Sequence, residues 1–343
     1  REISRLNRVY GELMTSAVRQ APSAHPRGPQ RGAEPGAARR PRYSSMARSI
    51  NGRSRSREFH ALVATSQIAM LPAPDAPRDN MIDCLVTGAG GALGSVLLRV
   101  LEEQHRHAYG LVSKAGPTPD VGRVLRVDLT DPSTFRDKVF ALAPRVVVHL
   151  AAISKASDAL LDPELARNVN VEATRSLVEL CSEMGARFIY ASTDMVFDGE
   201  QTREQLPHYT EQDTTEPGTY YGRLKLEGEC YALAGRRSLV VRLPLMYGLP
   251  EVSREPTFFE GMLRALKTGT PIKLFEDEFR TPLWLEDAAH ALCTAADSEL
   301  TGVLHVAGPQ RLSRLAMGRQ LAAAIGCSDA PLVAARRSDL AGP

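Results

Sequence analysis

The sequence predicts an α/β protein: a doubly wound parallel sheet with helices on both faces and a small C-terminal lobe. Three observations predict it. A short apolar run, Ile82 to Val86, ends in four glycines within seven residues, Gly88, Gly90, Gly91 and Gly94. Beyond it, short apolar runs alternate with stretches whose apolar residues recur every three or four positions, the pattern of strands alternating with amphipathic helices. Runs such as Val146-Val147-Val148 are apolar without a break, which suits strands buried on both faces.

Length and composition set the outer bounds. The 343 residues suffice for one large domain or two ordinary ones. Residues 1–80 hold fourteen arginines, no lysine and six acidic residues, an excess of eight positive charges. The remainder carries 28 basic and 34 acidic residues and is mildly acidic, which argues against nucleic acid as a partner. Five scattered cysteines, never in C-x-x-C spacing, suit a reducing compartment and no metal site. No apolar run approaches the ~18 residues of a membrane span.

The first eighty residues are rich in Arg, Ala, Pro, Ser and Gly, and are expected to be a disordered basic extension. An organellar transit peptide and foreign upstream sequence are the competing origins. Met81, immediately before the first strand, is the expected functional start. The cytoplasm is the expected compartment, an organelle if the leader is genuine. Residues 81–245 are expected to form a dinucleotide-binding domain and 246–343 a smaller lobe, with 281–306 partly returning to the sheet.

The first helix is announced by Leu93, Val96, Leu97, Val100 and Leu101. Strand, glycine turn and helix in this order open a dinucleotide-binding βαβ unit, because glycines let the backbone approach a pyrophosphate at the helix N-terminus. The spacing is Gly88-x-x-Gly91-x-x-Gly94; a tight turn without ligand is the competing reading. His107 to Ser113 reads as the second strand. A carboxylate at its end would hold the ribose hydroxyl of NAD. Ser113 and Lys114 stand there instead and suit a 2′-phosphate, so NADP(H) is favoured, with NAD(H) left open; a solvated loop lysine is the alternative.

The third strand, Val124 to Val127, ends in Asp128-Leu129, and a helix from Pro132 to Leu142 follows. The fourth, Arg145 to Leu150, stops at Ala151-Ala152, small enough to leave room for a ligand. Asp162-Pro163 opens a long helix that runs to Met184 and is closed by Gly185. Asn168 and Asn170 sit inside it, where Asn is a mediocre helix former.

The fifth strand, Arg187 to Ser192, leads into Ser192-Thr193-Asp194-Met195-Val196-Phe197-Asp198-Gly199. Hydroxyls there face the crevice in which open α/β sheets bind ligands. A later helix opens with Tyr220-Tyr221-Gly222-Arg223-Leu224-Lys225, where Tyr221 and Lys225 share one face. A nearby ammonium lowers a phenol pKa, so Lys225 is expected to tune Tyr221 for proton transfer while Thr193 fixes a substrate carbonyl.

Taken together, residues 81 to about 325 resemble an extended short-chain dehydrogenase/reductase, and the 192–199 run resembles its dTDP-4-dehydrorhamnose reductase branch. The resemblance implies a Rossmann domain, cofactor contacts at Gly88, Gly91, Ala92, Leu93, Gly94, Asp128, Leu129, Ala151, Ala152 and Ile153, and a catalytic Thr193, Tyr221 and Lys225. Asn170 matches the helix asparagine that positions the lysine. The implied reaction is hydride transfer between NADP(H) and a carbonyl, with a 4-keto nucleotide sugar as substrate and a homodimer as an allowed assembly. A nucleotide-sugar epimerase or dehydratase is the enzymatic alternative. Leu224 departs from the Ser or Thr usual before the lysine. Arg242 to Gly248 looks as much like the regulatory beta subunit of methionine adenosyltransferase, which implies a cofactor-binding, non-catalytic alternative.

Val240 to Leu243 reads as a sixth strand; in the lobe beyond it, Glu255 to Lys267 reads as a helix and Ile272 to Phe275 as a strand. Leu285 to Ala296 reads as a helix, Val303 to Val306 as a strand, and Ser313 caps a last helix to Ile325. The remainder reads as a polar tail, and such relatives are expected to continue further. Arg280, Trp284, His208 and His305 are candidate binders for which packing or surface charge is the favoured reading.

Overall fold

The computed structural model describes residues 81–200, 208–253, 255–327 and 331–340. The expected extension, 1–80, lies outside them. In chain order the strands are β1 (Cys84–Thr87), β2 (Ala108–Val112), β3 (Arg123–Arg126), β4 (Val146–His149), β5 (Arg187–Thr193), β6 (Ser238–Leu243), β7 (Met246–Tyr247), β8 (Ile272–Phe275), β9 (Phe279–Arg280), β10 (Leu283–Trp284), β11 (Gly302–His305), β12 (Leu312–Ser313) and β13 (Leu332–Ala335). The helices are α1 (Ala92–Glu103), α2 (Pro132–Leu142), α3 (Ala156–Leu161), α4 (Pro163–Arg167), α5 (Ala173–Met184), α6 (Tyr220–Ala234), α7 (Phe258–Thr268), α8 (Leu285–Asp297) and α9 (Arg314–Ala324).

Seven strands form one parallel sheet in the order β11-β6-β5-β4-β1-β2-β3. The order reverses between β1 and β4, and ligands of such sheets bind in the crevice at that switch point. Both faces are covered, as the unbroken apolar strands require. Leu97, Val100 and Leu101 of α1 pack with Ala288, Ala289 and Leu292 of α8 on one side. Phe135 and Val139 of α2, with Leu177 and Cys181 of α5, pack on the other. The helices start where their caps say: Asp131 accepts from Ser133 N, Asp162 from Leu165 N and Ser313 from Ala316 N.

Three expectations need correction. The long helix from Asp162 to Met184 is not continuous: Asn168–Glu172 is a π-helical turn between α4 and α5. One extra residue in that turn re-aims the side chains around Asn170, a change hydrophobic periodicity does not reveal. The lobe helix begins at Phe258, not Glu255, because Thr257 and Glu260 form a reciprocal capping box. The polar tail contains a strand: β13 pairs in parallel with β8, and Leu332 packs onto the lobe core around Tyr247, Phe259, Met262 and Leu274. The short helix α3 went unread as well. Among the described residues, no helix is long and apolar enough to cross a membrane.

Candidate active site

The glycine turn joins β1 to α1 at the switch point. Gly88 has φ +69°, and a Cβ there would stand 2.7 Å from Ala151 N, so the turn and the end of β4 touch backbone to backbone. At Gly94 a Cβ would lie 2.2 Å from Gly88 O, which locks α1 onto the turn. Gly91 differs: it is exposed, it is the N-cap of α1, no side chain caps the helix, and its first turn holds no acid. That leaves a helix N-terminus with the donors and dipole to take a phosphate, so the residues fit a dinucleotide. Leu93 is buried in the sheet core, so a ligand there meets main chain, not its side chain.

The end of β4 is held by Asn170, itself 1% exposed. Its Nδ2 donates to Ile153 O at 3.0 Å, and Ile153 N donates to Oδ1 at 2.8 Å. This clasp fixes the Ala151-Ala152-Ile153 segment and packs Ile153 beside Tyr221 and Leu224. The π-helical turn thus aims the Asn170 amide at Ile153, at the end of β4.

Three buried residues that sequence reading missed sit behind this segment. Leu150 N and Ala151 N donate to Thr87 Oγ1 at 3.2 and 3.1 Å. With its lone pairs so occupied, the Thr87 hydroxyl donates to His149 Nδ1, 2.7 Å away. His149 Nε2 then carries the proton and donates to Thr174 Oγ1 at 3.0 Å, and Thr174 donates to Asn170 O at 2.9 Å. Burial, with the Lys225 charge, pushes the His149 pKa down to about 3, so the ring is neutral. A lone histidine in an apolar strand gave no sign of this.

At the end of β5, alternation along the strand separates the two hydroxyls. Ser192 Oγ donates to buried Glu229 at 2.5 Å, whose carboxylate accepts from Arg242 Nε and Nη2 at 2.9 and 2.7 Å. Thr193 points the other way, its hydroxyl donating to Asp194 Oδ1 at 3.4 Å and standing beside the Tyr221 phenol, whose pKa it draws down. Thr193 and Tyr221 are thus brought together, and Lys225 lies one turn along α6. The Lys225 ammonium, 2% exposed, stands 3.9 Å from the centre of the Tyr190 ring. Burial draws its pKa down to about 7, against the pull of Glu229.

The Tyr221 pKa departs from expectation. Burial pushes it up and Asp194 adds to the rise, while Arg280 and the Thr193 hydroxyl oppose it. The predicted lowering by Lys225 is corrected: desolvation dominates, and the lysine's own charge is weakened by burial. Asp194 and Arg280 form a forked ion pair, with Arg280 Nε donating at 2.8 Å. Arg280, read from sequence as packing, therefore stands on the site. Glu278 bridges Arg280 and Arg314, with Arg314 Nε donating at 2.8 Å. His305 packs edge-on to Phe197, Trp284 packs in the lobe core, and His208 is exposed.

Ser113, Lys114 and Asp128 make a second cluster at the ends of β2 and β3. Lys114 Nζ lies 3.6 Å from Asp128, whose Oδ1 accepts from Thr130 N and Oγ1. Leu129, next in the chain, is half-buried and packs against the core beneath.

The family model described as the RmlD substrate binding domain matches residues 82–342. A probable low-salt glycan biosynthesis reductase from Haloferax volcanii is 32% identical over 251 residues, 72% of this chain and 81% of that protein. Methionine adenosyltransferase 2 subunit beta from Bos taurus is 28% identical over 268 residues, 74% of this chain and 77% of that protein. A solved structure, the hypothetical dTDP-4-dehydrorhamnose reductase of Sulfolobus tokodaii, has a TM-score of 0.64 at 28% identity, covering 74% of this chain and 86% of that one. Solved chains of the same fold include a dTDP-4-dehydrorhamnose reductase from Bacillus anthracis complexed with NADP and a UDP-glucose 4-epimerase from Thermus thermophilus complexed with NAD, both under 25% identical. The glycine turn at the switch point, the strand-end hydroxyl against a buried tyrosine, and the match over nearly the whole described chain agree: the chain belongs to the RmlD substrate binding domain family, within the extended short-chain dehydrogenase/reductases.

Proposed function

We propose that this protein is an NADP(H)-dependent reductase acting on the 4-keto group of a nucleotide sugar such as dTDP-4-dehydrorhamnose, with NAD(H) as the lesser cofactor. The observation that carries the reading is that the Thr193 hydroxyl at the C-terminal end of β5 and the Tyr221 phenol are both buried and stand beside one another, with Lys225 one turn further along α6. Gly88, Gly91, Gly94 and the amides of Ala92 and Leu93 would hold the pyrophosphate. Ala151, Ala152 and Ile153 would line the nicotinamide side, and Ser113, Lys114, Asp128 and Leu129 the adenosine end. When bound, the cofactor supplies hydride. Thr193 orients the substrate carbonyl, and Tyr221 gives its proton to the oxygen as negative charge develops there. Lys225 serves the cofactor ribose.

Burial keeps the Tyr221 phenol protonated at neutral pH, the form from which reduction starts. The likeness to a methionine adenosyltransferase beta subunit supports a second reading, a cofactor-binding regulatory subunit, and Leu224 agrees with it. Five free cysteines favour the cytoplasm.

Single-turnover NADPH oxidation against a panel of 4-ketosugars tests the reading. Tyr221→Phe should keep the fold and NADPH binding while slowing reduction by ~10²–10⁴-fold, the usual contribution of a general acid. Native protein that binds NADPH and reduces nothing would favour the regulatory subunit. An active native protein matched by its Phe variant would reject the mechanism.

A further inference from the structure

One cation at the adenosine end is spent in an unusual way. Arg126, the last residue of β3, lies beside Val112 in the parallel register. Its Nη1 donates to three main-chain carbonyls, Ser113 O at 3.2 Å, Lys114 O at 3.0 Å and Gly116 O at 2.9 Å. Its Nη2 donates to Thr118 Oγ1 at 2.8 Å. The guanidinium thus gathers the whole turn 113–118 onto the end of β3. The turn closes on itself through Gly116 N to Ser113 O, 3.1 Å. It also abuts the glycine turn, where a Cβ on Gly90 would stand 2.3 Å from Pro117 O. The pyrophosphate turn and the turn that carries Ser113 and Lys114 are therefore one packed unit, with Arg126 as its fastening.

Charge adds to geometry. Lys114 is 73% exposed and stands 3.6 Å from Asp128, whose carboxylate also accepts from Thr130. Among the described residues Arg126 is in no ion pair; it meets carbonyls and a hydroxyl, which leave its charge uncancelled. Two cations and one carboxylate thus stand together at the ends of β2 and β3, and one of the cations fixes the backbone beneath the other.

We infer that Arg126 is a positioning residue for cofactor discrimination: it holds the turn 113–118 so that Ser113 and Lys114 receive a phosphate ester on the adenosine 2′-oxygen. The inference rests on the cofactor reading above and assigns Arg126 no contact with the reacting atoms. A planar fork that spans several carbonyls cannot be replaced by a lysine, which offers one nitrogen. The role is therefore separable from charge alone.

The test measures equilibrium binding of NADPH and of NADH to the full chain, native and as Arg126→Met, Arg126→Gln and Arg126→Lys. Thermal midpoints identify any variant that fails to fold. The expected result is a loss of NADPH affinity of about tenfold or more in all three variants, with NADH affinity changed less than about threefold. A tenfold change corresponds to one good polar interaction. Full NADPH preference retained in Arg126→Lys would show that charge suffices and overturn the positioning role. Equal losses for both cofactors would reduce Arg126 to a merely structural staple and overturn the inference too. A native chain that prefers NADH, or binds neither, overturns the cofactor reading and the inference together, whereas a native preference that survives in all three variants overturns the inference alone.

Discussion

Lys225 shows how one buried side chain sets stability against function. Its pKa falls from 10.5 to about 7 because burial disfavours the ammonium. A group with a depressed pKa contributes stability above its unfolded pKa and loses it as pH falls through the folded one, here between 10.5 and about 7. At neutral pH its burial therefore costs stability, offset in part by the Tyr190 ring beneath it. Lys225→Met should abolish reduction and yet raise the thermal midpoint at pH 7 by a few degrees, since ~1 kcal/mol corresponds to about 2–4 °C in a domain of this size. The gain should shrink as pH approaches 10. Thermal scans at pH 7 and 9.5 decide it; a pH-independent difference, or a lower midpoint at pH 7, counts against the account.

Among elements, the π-helical turn Asn168–Glu172 matters most to the site. A regular helix would carry Asn170 past the Ile153 backbone; the turn lets both ends of its amide pair with that residue. Asn170→Ala leaves a donor and an acceptor at a half-buried position without their partner. Each orphaned group costs ~1–3 kcal/mol, so a loss of about 2–4 kcal/mol is expected in urea unfolding, with weaker cofactor binding because Ala151-Ala152-Ile153 loosens. Asn170→Asp, which sets a carboxylate oxygen against Ile153 O at a 1% exposed site, should cost at least as much as the Ala variant. A change under about 0.5 kcal/mol in the Ala variant would mean that the segment is held by something else.

Across the whole molecule, His149 ties β1, β4 and α5 into one buried chain of hydrogen bonds. Its neutral ring implies a clear acid response. The folded pKa is depressed from 6.5 to about 3, so the stabilisation is present above 6.5 and is lost as pH falls towards 3. Between pH 7 and 4.5 this one group should remove about 2–3 kcal/mol, at 1.36 kcal/mol per unit below the unfolded pKa. His149→Gln removes the titration, so its unfolding free energy should decline correspondingly less over that interval, whatever its value at pH 7. Parallel acid limbs for the two proteins would exclude His149 as the responsible group.

The sequence alone determined the sheet and the order of its main elements, because periodicity and punctuation act locally. The apolar runs, the glycines after β1, the Asp131, Asp162 and Ser313 caps and Gly185 each act within a turn or two of chain. Tyr221 and Lys225 were legible for the same reason, four residues apart on one helix. Contacts between distant segments were not. Asp194 meets Arg280 from 86 positions away, Thr87 meets His149 from 62, and Ser192 meets Glu229 from 37. The pairing of β13 with β8 likewise joins segments whose own patterns are weak. Protonation was the least legible property. The Tyr221 pKa depends on how completely its surroundings exclude water, and packing from Ile153, Leu224 and the Asp194–Arg280 pair decides that. Spacing brought the lysine within one turn of the phenol, but only the tertiary structure showed that desolvation outweighs the lysine's charge.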